Sequence, residues 1–157
     1  MSQAPAPANP QVLDVLSKLF VSLPHAATLG MRYVGTAGRK PTLAIDWRDD
    51  LVGNPVSGVL HGGVITSLVD TCSAVSVAAQ LPDFETIATL DLRIDYLKAA
   101  TPGRPIYCTA ECYRLASQVA FTRAVCFHDS IDQPIAHGVA TFMRESSPVP
   151  MVGGANQ

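Results

Sequence analysis

Between His61 and Gln80 the chain is apolar or small at almost every position, and Asp70 is its single formal charge there. Val64, Ile65, Leu68, Val69, Cys72, Val75, Val77 and Ala79 alternate with the small polar residues Thr66, Ser67, Thr71, Ser73 and Ser76. This predicts a helix over about residues 61–80, apolar on most sides and therefore buried. Four strand-like runs follow, Ile87–Leu97, Pro105–Leu115, Val119–His128 and Pro134–Met143. Their alternation and short links suggest an antiparallel meander. Ahead of the helix, Asn9-Pro10 reads as an N-cap with proline at the first helical position. It opens an amphipathic helix with Val12, Leu13, Leu16, Leu19 and Phe20 on one side, ending near Pro24. Leu29–Ala37 and Leu43–Trp47 read as two strands around a turn at residues 38–41, and residues 48–60 as a loop that carries Asn54 to the helix entrance. One long buried helix and about six antiparallel strands make an α+β domain whose sheet must curl around the helix.

Composition narrows the picture. The 157 residues suit one domain, expected over 10–144 between a disordered tail at 1–9 and a flexible one at 145–157. A net charge of −2 gives no electrostatic case for nucleic acid. No uncharged apolar run approaches the ~20 residues of a membrane span, and no signal peptide is evident, so a cytoplasmic protein without membrane insertion is expected. Charged residues make up 15% of the chain against a usual ~25%, which points to surface hidden in an oligomer. Cys72, Cys108, Cys112 and Cys126 form no Cys-x-x-Cys pair and read as buried reduced thiols. His25, His128 and His137 lack metal-site spacing; no metal and no cofactor are expected.

The chemistry gathers at His61-Gly62-Gly63. Two glycines leave the first N–H groups of the helix bare, at the positive end of its dipole, so a small oxygen can approach them. Burying the Asp70 carboxylate is costly without a partner or a use. Asp70 follows His61 by nine residues, about 2.5 turns and about 13 Å, so the two ends of one helix cannot grip one small substrate. Two antiparallel helices about a two-fold axis would bring Asp70 of one chain to Gly62 of the other, twice, which predicts a homodimer with two composite sites.

Asn54-Pro55, Gly58-Val59-Leu60-His61-Gly62-Gly63-Val64-Ile65, Leu68-Val69-Asp70 and Thr89-Leu90-Asp91-Leu92-Arg93-Ile94-Asp95-Tyr96-Leu97 together resemble the hotdog-fold thioesterases, in particular their phenylacetate-pathway-like branch. The resemblance runs from about Leu29 to Met143. It implies metal-independent hydrolysis of an acyl-CoA thioester by a homodimer or a dimer-of-dimers tetramer. It also implies roles: Asp70 as nucleophile or general base, Gly62 N–H from the partner subunit on the thioester carbonyl, Asn54 helping to hold that carbonyl, His61 near the sulfur and Thr89 placing the water. Gly63, Ser73 and Arg93 complete the expected site as substrate-binding residues. Thr89 is the awkward one. It alternates with Leu90 and Leu92, which are expected to face the helix, so regular pleating turns it away from the core unless a bulge re-aims it or the strand's other face meets the partner. An enoyl thioester hydratase or dehydratase on the same fold, and a non-catalytic acyl-CoA-binding protein, are the alternative readings.

Overall fold

The computed structural model describes residues 5–145. Helix α1 (Pro10–Ser22) starts as expected, with Asn9 Oδ1 accepting from the N–H groups of Gln11 (3.0 Å) and Val12 (3.3 Å). A one-turn helix α2 (Pro24–Thr28) follows and ends on Leu29, so the strand expected from Leu29 begins only at Arg32. Strands β1 (Arg32–Ala37) and β2 (Lys40–Ile45) form a hairpin closed by two residues, with Gly38 at φ 64°. Only glycine takes that angle without strain, so the expected four-residue turn tightens and Lys40-Pro41 joins the strand. The loop at 48–60 folds into a single 3-10 turn and a small hairpin of β3 (Val52–Asn54) and β4 (Val59–Leu60).

The central helix α3 (Gly62–Ala78) is followed by β5 (Thr86–Tyr96), β6 (Ile106–Leu115), β7 (Val119–Phe127) and β8 (Ala136–Glu145). The six long strands form one antiparallel sheet in the order β1-β2-β6-β7-β8-β5. It is the expected curved sheet around a helix, but the meander holds only for β6-β7-β8. β5 pairs with β8 at the far edge, so residues 97–105 must cross to the sheet centre. His128 staples that crossing: its Nε2 accepts from Thr101 N–H at 2.9 Å, leaving Nδ1–H to donate to the Pro105 carbonyl at 2.7 Å.

The inner face of the sheet is built from small residues in register. Across the strands run the rows Cys108–Cys126–Ala136, Ala110–Ala124–Gly138–Ile94 and Cys112–Thr122–Ala140–Leu92. These rows let α3 approach closely, and Leu68, Val69, Cys72 and Val75 seal the contact. All four cysteines are free and buried. Hydrogen bonding to Cys126 and Cys72, together with burial, pushes the Cys108 thiol well above its usual range, so it stays protonated and unreactive. The described part of the N-terminal segment lies along this body: Ala8 N–H donates to the Ala79 carbonyl at 3.0 Å and Arg39 Nε–H to that of Ala6 at 2.6 Å. Residues 1–4 and 146–157, where most of the tails were expected, lie outside the described residues.

Gly138 marks the tightest point, since a Cβ there would sit 2.5 Å from Val69 Cγ1. Val69 is fully buried and β-branched, so it has little room to turn. Gly138→Ala is therefore expected to lower stability by about 1–3 kcal/mol. Urea denaturation measures this, and an unchanged midpoint would show that α3 is not seated on the glycine.

Candidate active site

The start of α3 is fixed from three sides. His61 is its N-cap, with Nδ1 accepting from Gly63 N–H at 2.9 Å. That bond assigns the ring proton to Nε2, leaving an N–H donor on the outer side of the imidazole. The His61 N–H donates to the Leu51 carbonyl at 2.9 Å. β3 passes so close that a Cβ on Gly53 would lie 2.6 Å from His61 Cα. Gly63 has the same character, since a Cβ on it would meet His61 Nδ1 at 2.9 Å. The Gly62 N–H bonds to nothing among the described residues. The Gly62 carbonyl is well held, lying 2.8 Å from the Tyr96 hydroxyl and 3.1 Å from Thr66 Oγ1. An uncovered N–H at the positive end of a buried helix is a donor waiting for an oxygen.

Asp70 lies two turns further along α3 and is half-buried. Its Oδ1 accepts from Thr89 Oγ1 at 2.8 Å. The strand register explains how Thr89 reaches it. Thr89 pairs with Phe142 and Asp91 with Thr141, so Leu90 is an extra residue in β5. This bulge reverses the alternation: Ile87 and Thr89 face the helix before it, Leu92, Ile94 and Tyr96 after it, and Leu90, expected to face the helix, turns outward at 58% exposure because it is the extra residue. The bulge, one of the two routes that the sequence left open for Thr89, is the one present.

The other expected residues divide. Asn54 closes its own loop, with Oδ1 accepting from Val56 N–H (3.0 Å) and Ser57 N–H (3.4 Å) and its carbonyl from Gly58 N–H (2.8 Å). Its side-chain NH₂ makes no bond among the described residues, which leaves a donor close to the helix entrance. Ser73 is buried at 1% exposure on α3, one turn beyond Asp70, and its hydroxyl has no hydrogen-bond partner among the described residues. Arg93 points away from α3 on the outer face of the sheet, where it forks onto Asp95 at 2.9 and 3.1 Å. A single chain thus joins Asp70 to Thr89, and His61 to Gly62 and Gly63. It does not join the two groups, which are eight residues apart on one helix, about 12 Å.

Sequence reasoning missed Gly53, Thr66 and Tyr96. Only Tyr96 left a signal, its alternation with Leu92 and Ile94. Two grooves flank the helix entrance. One of about 430 Å³ is lined by Leu60, Gly62, Ile65, Tyr96, Lys98 and Ala100. The other, of about 500 Å³, is lined by His25, Leu51, His61, Gly63, Val64 and Ser67. Lys98 makes no ion pair among the described residues.

The sequence and fold of this chain recur in known proteins. The chain is 32% identical over 147 residues to the medium/long-chain acyl-CoA thioesterase YigI of Escherichia coli, covering 85% of this chain and 94% of that one. A crystal structure of a Pseudomonas aeruginosa protein is 42% identical, with a TM-score of 0.76 over 85% of this chain and 99% of its own. The Escherichia coli PaaI protein of the phenylacetic acid degradation operon shares the fold, at 17% identity and a TM-score of 0.71 over 82% of this chain and 89% of its own. The family model of the thioesterase superfamily matches residues 57–135, the stretch that holds His61, Gly62, Asp70 and Thr89. By that match and its fold, the chain belongs to the hotdog-fold thioesterase superfamily.

Proposed function

We propose that this chain hydrolyses acyl-CoA thioesters at composite sites, each combining Asp70 and Thr89 of one protomer with His61 and Gly62 of its partner. The observation that carries this is the uncovered Gly62 N–H set against an Asp70 carboxylate already oriented by Thr89, on one helix yet too far apart to meet. The outer edge of β5 supports a two-fold arrangement. It spans 11 residues and pairs with no strand among those described. A long free edge is a template for pairing. Two such edges joined antiparallel would lay the two α3 helices side by side in opposite directions, with Asp70 facing the partner's Gly62.

At such a site the thioester carbonyl oxygen accepts from the Gly62 N–H, with the Asn54 NH₂ as second donor. Asp70 drives attack at the carbonyl carbon, either as general base towards water or as nucleophile. Negative charge then collects on the carbonyl oxygen, where a helix-terminal N–H worth roughly 3 kcal/mol stabilises it. Collapse breaks the C–S bond, with the His61 Nε2–H as the donor to the leaving sulfur; on the nucleophile route water then cleaves the acyl–Asp70 anhydride to release the acid and restore the carboxylate. The products are a carboxylic acid and free coenzyme A. Similarity to the medium/long-chain acyl-CoA thioesterase YigI favours medium to long acyl chains. Lys98, without an ion-pair partner, is the cation best placed to meet an anionic end of the substrate at the groove beside Gly62. Four free thiols fit a reducing compartment, the cytoplasm.

Thiol release from a panel of acyl-CoA substrates tests the reaction. Hydrolysis is expected. Hydration of enoyl-CoA, or saturable binding without turnover, would point to a different use of the fold. Asp70→Ala is expected to reduce turnover by roughly 10²-fold or more while the oligomer survives on sizing. Near-normal activity in that folded variant would remove Asp70 from the chemistry. Mixing Asp70→Ala chains with Gly62→Pro chains tests the shared site, because proline fits the first helical position yet removes the N–H. Each mixed dimer keeps one intact site, so activity should return on mixing two inactive proteins. No recovery in verified mixed dimers would argue that the sites are not shared.

A further inference from the structure

Strand β5 presents a second hydroxyl to α3, that of Tyr96, for which the proposed reaction has no use. The Tyr96 hydroxyl lies 2.8 Å from the Gly62 carbonyl oxygen and 2.9 Å from Thr66 Oγ1, and Thr66 Oγ1 lies 3.1 Å from the same carbonyl. Two hydroxyl protons serve three close contacts, so the Gly62 carbonyl stays bonded whichever hydroxyl donates to it. The ring also keeps this position a glycine, since a Cβ on Gly62 would lie 3.2 Å from the Tyr96 oxygen and 3.4 Å from its ring carbon. Gly62 is therefore held through its carbonyl while its N–H stays uncovered. The grip matters because glycine is the residue least able to hold its own φ and ψ. A donor that wanders by an ångström serves a transition state poorly.

We propose that Tyr96 is a positioning residue for the hydrolysis: it fixes the orientation of Gly62, and hence of the N–H that meets the thioester carbonyl. The inference rests on the thioesterase reading of this site and deepens it. Strand β5 then holds both halves of the apparatus, Thr89 on Asp70 and Tyr96 on Gly62. Seven residues separate the two, an odd number that in a regular strand would put them on opposite faces. The single bulge at Leu90 is what brings both inward.

Tyr96→Phe keeps the ring and removes the hydroxyl. The N–H it steadies is used most in the transition state, so kcat should fall roughly 10- to 100-fold with KM unchanged. A role in folding alone would instead lower the melting temperature and leave kcat per folded site intact. In ¹⁵N–¹H spectra the Gly62 and Gly63 signals should move while that of Gly38, in the β1–β2 turn at the opposite edge of the sheet from β5, stays. Tyr96→Leu, which removes the ring as well, should lose more rate. Unchanged kcat in Tyr96→Phe, a rise in KM alone, or an unmoved Gly62 signal would each overturn the proposal. If the unmodified protein releases no thiol from any acyl-CoA, the reaction itself falls, whereas the Gly62 signal still decides whether Tyr96 governs that peptide.

Discussion

The closeness of α3 to the sheet is the constraint on which everything else rests. A helix with one carboxylate can lie inside a curved sheet only if the sheet makes room for it and answers the charge. Room comes from the registered rows of alanine, cysteine and glycine, the last of them Gly138 beneath Val69. The charge is answered at the one place where the sheet carries a hydroxyl in reach, Thr89. With larger residues in those rows α3 would lift away, and Asp70 would lose Thr89 along with the packing.

The same closeness shapes the helix entrance. Gly53 lets β3 run against the His61 backbone, and Gly63 leaves space for the imidazole to fold back over the first turn. His61 thereby uses its acceptor nitrogen on the helix itself and keeps a donor for whatever lies outside. Capping uses one nitrogen of the ring and the proposed donation to the leaving sulfur would use the other, so the two uses of His61 do not compete.

Much of this can be read from the chain because it is local. A buried helix announces itself in an uninterrupted apolar pattern and Asn9-Pro10 in cap chemistry; of the two amides expected bare at Gly62-Gly63, only that of Gly62 is, because the His61 ring takes the Gly63 N–H. The separation of Gly62 from Asp70 follows from helix geometry alone. What could not be read is set by contacts between distant segments. The edge position of β5 depends on a crossover whose staple, His128, lies beyond β7. The partners of Gly53 and Tyr96 are visible only once β3 and β5 are docked. Thr89 sits between these cases: its alternation with Leu90 and Leu92 marks a regular strand as the obstacle, and the extra residue at Leu90, which turns that leucine outward, is the physical answer.

That extra residue makes β5 a strand of fixed length. Loss of one residue anywhere between Thr89 and Tyr96, or gain of one, would swing one hydroxyl to the outer face and strand either the acid or the amide without its support. Length change is thus forbidden over this short span on grounds of phase, irrespective of which side chains are exchanged. By contrast the β1–β2 turn at Gly38, at the opposite edge of the sheet, can lengthen without altering which face either hydroxyl sees.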